Sequence, residues 1–247
     1  MKKLLFGACC LLATSTFAQT QMLNATRDQI NTNGLVIPAT GTLWGVASSD
    51  QGTVIGQTYL DTTWAKGDLK LFQSVQPIGG KPVDTLTGLA LRYNVYYNEV
   101  EILMNSYRDV RALQGQSVKS FSLEQAGKKT DFLNTQLFEA DKVPAGFYEV
   151  LTPGKLTLAV LNKTFVRKPT YNAAFEVGDK DAKIMLMEDF YVLNGKKAEK
   201  FNPSKKALQK LMQDQSEEVS KFMKINDLDL KDRSNLKRVF ELYNGLL

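Results

Sequence analysis

The stretch GLALRYNVYYNEVEILMN, residues 88–105, decides the fold of this 247-residue chain. Apolar and polar side chains alternate in it twice, first around Leu91 and Tyr93 and then around Val100 and Ile102. A period of two places successive side chains on opposite faces of a strand. The stretch therefore predicts two half-buried strands joined by a short turn, which together make a β-hairpin.

Similar alternating runs, separated by turn residues, continue on both sides of this hairpin. Residues 64–68 are expected to form a turn, because glycine there can take a positive φ. Residues 156–161 are apolar at nearly every position, which is typical of a central strand covered on both faces. Asn194-Gly195 is the strongest hairpin turn of the chain. The spacing predicts about nine to eleven short strands, as in a sandwich or barrel.

The pattern changes to a helical period at Asn202-Pro203, where asparagine suits an N-cap and proline suits the first helical position. Two alternatives remain open for residues 204–225. One helix runs unbroken to about Ile225, or a capping box that starts at Asp214 begins the helix again. A final helix is predicted from about Arg233. Its apolar stripe consists of Leu236, Val239, Phe240 and Tyr243.

These patterns predict a mainly β fold of the α+β class. An antiparallel β-meander forms an open barrel or sandwich, and two or three amphipathic C-terminal helices pack on it. The predicted organisation has four parts. These are a signal peptide (1–18), a polar leader with possible short strands (19–50), an antiparallel β domain (51–201) and a C-terminal helical segment (202–247).

The first residues have the pattern of a bacterial signal peptide. Lys2 and Lys3 form a basic region, and residues 4–13 form an apolar run that is too short to span a bilayer. The pattern predicts cleavage after Ala18 and export to the periplasm or the medium. Lipoprotein anchoring at Cys9 or Cys10 is disfavoured, because almost no apolar run precedes these cysteines. No later run is long enough for a transmembrane segment.

Composition narrows the chemistry of the mature chain. The sequence has no histidine, and both of its cysteines lie in the predicted signal peptide. A Ser-His-Asp triad and a Cys-His pair are therefore impossible, and no cofactor or metal site is expected. The net charge is +5, and it falls to +3 without Lys2 and Lys3. Such a mild charge does not indicate a nucleic-acid partner.

Three stretches carry a resemblance to known proteins: the hairpin LRYNVYYNEVEIL, the pair GFYEVL and GKLTL, and the tail that begins SKKALQKLMQDQ. Over roughly residues 55–247 the chain resembles exported, functionally uncharacterised proteins of Gram-negative bacteria. The resemblance implies no activity, no catalytic residue and no cofactor.

Paired carboxylates offer the one enzymatic interpretation. Glu99 and Glu101 lie two residues apart on one face of a strand, about 7 Å along it, and Glu188-Asp189 is a second acidic pair. Inverting glycosidases use a comparable separation. The simpler interpretation is a solvated sheet face near Arg92, and it is preferred. No catalytic residue is assigned.

Aromatic and sulfur-containing side chains are the candidates for ligand binding. Tyr93 and Tyr96 belong to a tyrosine-rich centre that could stack on a sugar, although tyrosine is also common in strands. Met185 and Met187 share one strand face and suit varied apolar partners, although ordinary core packing explains them as well. A cavity lined by these methionines together with Leu158 and Val160 would favour an apolar-ligand carrier.

The leading expectation is an exported envelope protein that acts as a non-enzymatic binding or structural module. The first alternative is a periplasmic carrier of a lipid or another apolar ligand, and the second is a carboxylate-dependent hydrolase. The partner is an envelope protein or an apolar ligand in these hypotheses, and the sequence does not choose between them.

Overall fold

The structure is a computed structural model that describes residues 44–46, 54–76, 80–104, 109–168, 170–172, 175, 177–179 and 181–246. The predicted signal peptide and most of the polar leader lie outside these residues. The described chain is mainly β, with twelve strands in an open sheet and three C-terminal helices. This confirms the predicted fold class.

The elements succeed each other in a simple order along the chain. The strands are β1 (Trp44–Val46), β2 (Val54–Gly56), β3 (Ala65–Val75), β4 (Val83–Asn94), β5 (Glu99–Leu103), β6 (Val110–Gln114), β7 (Val118–Gln125), β8 (Lys128–Asn134), β9 (Phe147–Thr152), β10 (Thr157–Arg167), β11 (Ala182–Asn194) and β12 (Lys197–Lys200). The helices are α1 (Lys205–Leu211), α2 (Ser216–Ile225) and α3 (Arg233–Gly245).

All twelve strands belong to one mixed sheet. Its order is β1-β6-β5-β4-β3-β7-β8-β9-β10-β11-β12, and β2 pairs in parallel with the start of β11. The central hairpin is β4 and β5, as predicted, and Tyr93 pairs with Val100 in it. From β3 onwards the meander is interrupted once, because after β6 the chain crosses to the other side of β3, where β7 pairs.

The sheet is strongly curled. Gly56 pairs with Ile184 of β11, and Tyr59 forms a bridge with Asn94 at the end of β4. Three residues of chain span at most about 11 Å. The strands β4 and β11 are six positions apart in the sheet order, and six strand spacings would measure about 29 Å in a flat sheet. The two parts of the sheet must therefore bend towards each other.

Three groups of buried apolar side chains stabilise the fold. The β core fills the concave face at the curled half and includes Leu69, Leu91, Tyr93, Ile102, Phe121, Phe132 and Phe147. The helix core lies between the helices and the same concave face further along and includes Leu158, Val192, Leu208, Met212, Val219, Leu236 and Phe240. The outer core lies on the opposite face of β9–β12 and includes Tyr148, Ala159, Leu161, Tyr191 and Leu193.

The edge of the sheet at β12 is short and partly covered. The chain after β8 returns to it, and Glu139 forms a parallel bridge with Lys197. The amide of Glu139 donates to the carbonyl of Lys196, and the amide of Ala198 donates to the carbonyl of Glu139. The same segment covers the outer core with Phe138.

The predicted turn at residues 64–68 is wrong. Strand β3 begins at Ala65 and continues through Gly67, where its pairing with β4 is irregular. A Cβ atom on Gly67 would lie 1.9 Å from the carbonyl oxygen of Ser122. This glycine therefore permits a close approach of two strands, which is one of the meanings of glycine inside a strand.

The helical segment also differs from its prediction at two points. Helix α1 is capped by Ser204, whose side chain accepts a hydrogen bond from the amide of Ala207, so the predicted N-cap at Asn202 is wrong. The chain leaves the helix at Met212, so the unbroken helix is also wrong. Helix α2 begins after this break, but Asp214 does not cap it and accepts instead from the hydroxyl of Tyr243.

The last helix agrees with its prediction. Helix α3 runs from Arg233 to Gly245 and is capped by Asp232. All four residues of the predicted apolar stripe are buried in the helix core. Asn244 then joins the helix to the sheet, because its side chain accepts from the amide of Leu156 at 3.2 Å and donates to the carbonyl of Leu156 at 3.0 Å. Within the described ranges, no helix is long and apolar enough to cross a membrane.

Candidate functional site

The carboxylate pair of β5 does not form an open acidic site. Glu101 is completely buried and accepts a hydrogen bond from Nε of Arg92 at 2.6 Å. The hydroxyl of Tyr59 donates to its other carboxylate oxygen at 3.0 Å. Glu99, the first residue of β5, is only partly buried. The interaction with Arg92 agrees with the simpler interpretation of this pair, but Glu101 is buried rather than solvated.

The guanidinium of Arg92 lies between two aromatic rings. Its central carbon is 4.2 Å from the ring centroid of Tyr59 and 4.3 Å from that of Trp64. Burial, together with the negative charge of Glu101, raises the pKa of Tyr59 to about 12. These four residues, which we call the Arg92 cluster, attach the segment before β3 to strands β4 and β5. Within the cluster, Arg92 also donates from Nη2 to the hydroxyl of Tyr59 at 3.1 Å.

The two tyrosines proposed for ligand binding lie in different places. Tyr93 is buried in the β core, where its hydroxyl donates to Asn98 at 2.9 Å and burial raises its pKa. Tyr96 is exposed in the turn after β4, and its ring contacts that of Tyr97 edge to face. The structure does not bring the rings of Tyr93 and Tyr96 together on one surface.

The two methionines proposed for ligand binding do share one face of β11. Met185 and Met187 are 46% and 45% exposed, on the convex face of the sheet. Leu158 and Val160 are buried on the concave face, since they pair with the even-numbered residues of β11. The four side chains therefore cannot line one cavity, which was the arrangement expected for an apolar-ligand carrier.

The second acidic pair is separated by the sheet itself. Asp189 points to the convex face and forms ion pairs with Lys163 and Lys200. Burial alone would raise its pKa, but the hydrogen bonds from these lysines outweigh burial, so the pKa of Asp189 is lowered. Glu188 points to the concave face and lines a cavity.

This cavity is the candidate functional site, and we call it the seam cavity. It has a volume of about 520 Å³ and lies where β11 approaches the segment before β3. Ligand sites in proteins usually have volumes of about 300–1,000 Å³. The cavity is lined by Leu60, Asp61, Leu123, Gln125, Thr130, Phe132, Glu149, Asn162, Leu186, Glu188 and Arg233.

The seam cavity lies between the β core and the helix core, and β9 shows this directly. Its concave-facing residues are Phe147 in the β core, then Glu149 in the cavity, then Leu151 against the helix core. Strand β11 shows the same order of environments, with Leu186 in the β core, Glu188 in the cavity and Phe190 against the helix core. On both strands a glutamate thus occupies a concave-facing position between two apolar residues.

Arg233 joins these two glutamates. Its guanidinium forms ion pairs with Glu149 and, at 3.0 Å, with Glu188. The remaining oxygen of Glu149 accepts from the side-chain amide of Asn162 at 3.0 Å. Four elements meet here, because these side chains come from β9, β10, β11 and the first residue of α3.

The cavity offers mainly hydrogen-bond acceptors to a ligand. It contains the carboxylates of Asp61, Glu149 and Glu188 and one guanidinium, so its formal charge is −2. Asp61 is already used by Thr63 and Gln125, and the hydrogen bonds from Thr63 lower the pKa of its carboxyl. Among the described hydrogen bonds, none reaches the second oxygen of Glu188. Such a site suits a ligand that donates hydrogen bonds.

Sequence reasoning missed Glu149 and Arg233, although both leave a signal. In FYEVL and LMEDF, a glutamate occupies the strand position between two apolar residues that share its face. Arg233 is the first residue of a helix, where the positive end of the helix dipole disfavours a cation. A residue that breaks a local rule is often required by a site elsewhere in the fold.

A second hollow of about 390 Å³ lies on the opposite face of the sheet. It is lined by the ion pair of Asp68 and Lys129, by several hydroxyl side chains and by Phe121. Burial would raise the pKa of Asp68, but hydrogen bonds from Gly88 and Lys129 lower it. Within the part of the chain that the structure describes, no group of three or more acidic, cysteine or histidine side chains could hold a metal ion.

Comparison of the chain with protein-family models, with curated proteins and with solved structures gave no match. The residues of the site are therefore the basis for assigning a function.

Proposed function

We propose that this chain is an exported, non-enzymatic binding module of the cell envelope, and that its ligand occupies the seam cavity. Export is supported by the signal-peptide pattern of residues 1–18. Binding is supported by one structural observation above all. Two glutamates occupy concave-facing strand positions between two apolar cores, and they line a cavity together with Arg233.

The energetics of burial support a binding role for this polar wall. A polar or charged group on the buried face of a sheet is unfavourable unless it is paired, and apolar residues of similar size often give equal or higher stability. A continuous apolar core across Glu149, Asn162 and Glu188 would have been the simpler arrangement. This supports a use of the polar cavity other than stability.

The ligand that fits is a small molecule rich in amine or hydroxyl groups. The wall carries a formal charge of −2, and one oxygen of Glu188 is reached by no described hydrogen bond, so the wall favours donors and cations over anions. Leu60, Leu123, Phe132 and Leu186 provide apolar surface for the carbon skeleton of the ligand. Such a mixture of apolar wall and few polar groups is usual for small-molecule sites.

The two alternatives receive less support from this geometry. An acyl chain in the cavity would separate Glu149, Glu188 and Arg233 from water without offering them hydrogen bonds, which is costly. A hydrolase would need one carboxyl group that stays protonated in an apolar environment and one that is ionised. Here both glutamates pair with the same guanidinium, so the site does not place them in the two different environments that this chemistry needs.

Native mass spectrometry tests the proposal. The protein is purified gently from the envelope of its own cells, and its intact mass is compared with its denatured mass. We expect an additional small-molecule mass that disappears on denaturation. The Glu188→Gln variant should retain less of it, whereas the matched Glu217→Gln variant on the exposed face of α2 should retain it fully. A bare polypeptide mass, or equal retention by both variants, would contradict the proposal.

A further inference from the structure

The far half of the β10–β11 hairpin extends beyond the rest of the sheet. Strand β9 pairs with β10 only as far as Leu161. From Asn162 to Arg167 the described partner of β10 is β11. The three residues of β2 pair with the start of β11. An isolated two-stranded ribbon is at best marginally stable in water. We give the name hairpin tip to the described residues of this region, which are 163–168, 170–172, 175, 177–179 and 181–187.

The hairpin tip concentrates the exposed apolar surface of the molecule. Among the described residues thirteen large hydrophobic side chains are exposed, and eight of them lie on the hairpin tip or beside it on β2. These eight are Ile55, Phe165, Val166, Tyr171, Phe175, Val177, Met185 and Met187. A contiguous exposed apolar surface on a folded protein usually marks an interaction site.

The arrangement of these side chains favours insertion into a lipid phase over docking to a protein surface. Phe165 and Met185 face each other across the strands on the convex face. Val166 lies on the other face of the same ribbon, and Phe175, in the connection between the strands, is 74% exposed. A flat protein partner would cover only one face. A lipid phase can surround both faces and the connection.

The charge of the hairpin tip is complementary to an anionic lipid surface. The hairpin tip contains four basic residues (Lys163, Arg167, Lys168 and Lys183) and two acidic residues (Asp179 and Asp181), a net charge of +2. Arg167 and Lys183 both pair with Asp179, and this network keeps a net charge of +1 beside the exposed Lys168. Lysine and arginine can hold their charge at the headgroups while their apolar stems lie against the acyl region.

We propose that the hairpin tip inserts into the headgroup and upper acyl region of an anionic lipid bilayer and holds the protein at the membrane surface. The proposal does not depend on the ligand of the seam cavity. Met185 and Met187 point away from that cavity, because they alternate with Leu186 and Glu188 along β11. The two methionines of the hairpin tip therefore lie on the face of β11 that is opposite to the seam cavity.

A tryptophan reporter tests the proposal directly. The Phe175→Trp variant keeps an aromatic side chain at an exposed position, so the fold should be retained. The full gene is expressed and the protein is purified as the cells process it, because an uncleaved leader would bind lipid by itself. We expect the added fluorescence to shift to shorter wavelength with phosphatidylglycerol vesicles and much less with phosphatidylcholine vesicles.

Matched variants in the same background identify the surface. Phe165→Ser combined with Met185→Ser should weaken vesicle binding by roughly a hundredfold, about tenfold for each half-exposed side chain. Ile225→Ser on α2, whose side chain is 71% exposed, should leave binding unchanged. Circular dichroism confirms that each variant is folded.

Four results would overturn the proposal. The first is no fluorescence shift with either vesicle, and the second is an equal shift with both compositions. The third is vesicle binding that the double serine variant leaves unchanged. The fourth is a shift that appears without vesicles as protein concentration rises, together with a dimer in sedimentation analysis, which would assign the surface to a second copy of the chain.

Discussion

Replacing Arg92 with methionine removes a charge but keeps most of the volume of the side chain. The side chain of Glu101 is 0% exposed in the folded protein. After the substitution, its carboxylate keeps only one side-chain hydrogen-bond donor among the described contacts, the hydroxyl of Tyr59. The substitution also removes the contacts of the guanidinium with the rings of Tyr59 and Trp64. We expect a large loss of stability with little change of overall structure.

The size of the loss follows from the burial of the two partners. Removing one partner of a buried ion pair costs about 3–5 kcal/mol, because the other charge is left without compensation. The side chain of Arg92 is 21% exposed, so water can partly replace it, and about 3 kcal/mol is appropriate. The two lost cation–π contacts add about 1 kcal/mol. The expected loss in the free energy of unfolding is about 4 kcal/mol.

Urea-induced unfolding followed by circular dichroism measures this loss. The matched control is Arg111→Met, which breaks the ion pair between Arg111 and Asp109. This ion pair has a similar N–O distance, but its side chains are about half exposed. Its loss should lower the free energy of unfolding by at most about 1 kcal/mol. The double variant Arg92→Met with Glu101→Leu should recover about 2 kcal/mol or more, since the unpaired charge is removed. A loss for Arg92→Met no larger than that of the control would refute the reasoning.

Three further predictions concern backbone packing and pH. Gly67→Ala should lower the free energy of unfolding by about 1–3 kcal/mol, because a Cβ would meet a backbone oxygen of β7 at 1.9 Å. In the same urea assay, the control Gly245→Ala should be neutral or slightly stabilising. The pKa of Tyr59 is raised from 10.0 to about 12 in the folded protein, so its contribution is complete below pH 10 and is lost as the pH rises towards 12. Tyr59→Phe should therefore show a smaller loss of stability over that interval, and an unchanged slope would contradict the assignment. The pKa of Asp189 is lowered below 3.8 in the folded protein, so its contribution is present above that pH and is lost as the pH falls further. Asp189→Asn should show a shallower acid transition in denaturation monitored by circular dichroism.

Local patterns in the sequence were sufficient for the central hairpin and the last helix. In β4 and β5 the alternation of apolar residues decides which face is buried, and the register follows from a short connection. In α3 the apolar stripe repeats at helical spacing and Asp232 supplies the cap. Both elements depend on residues that are close in the chain.

The parts that were missed depend on distant residues. Gly67 has the local signature of a turn, but contact with Ser122 of another strand makes it part of β3. The pairing of β3 with β7 joins segments about fifty residues apart, and no local pattern specifies it. The seam cavity depends on Glu149, Glu188 and Arg233, which meet only when the curled sheet and the helices are both in place.

The covered edge at β12 has a consequence for the behaviour of the protein in concentrated solution. Exposed edge strands are templates on which other chains can pair and aggregate. Here the edge strand has four residues, the bridge from Glu139 occupies its outer side, and Lys197, Glu199 and Lys200 are exposed on it. Another copy could add a strand only by displacing this bridge and dehydrating the charged side chains. At this edge the folded protein is therefore protected from fibril-like association by its own backbone.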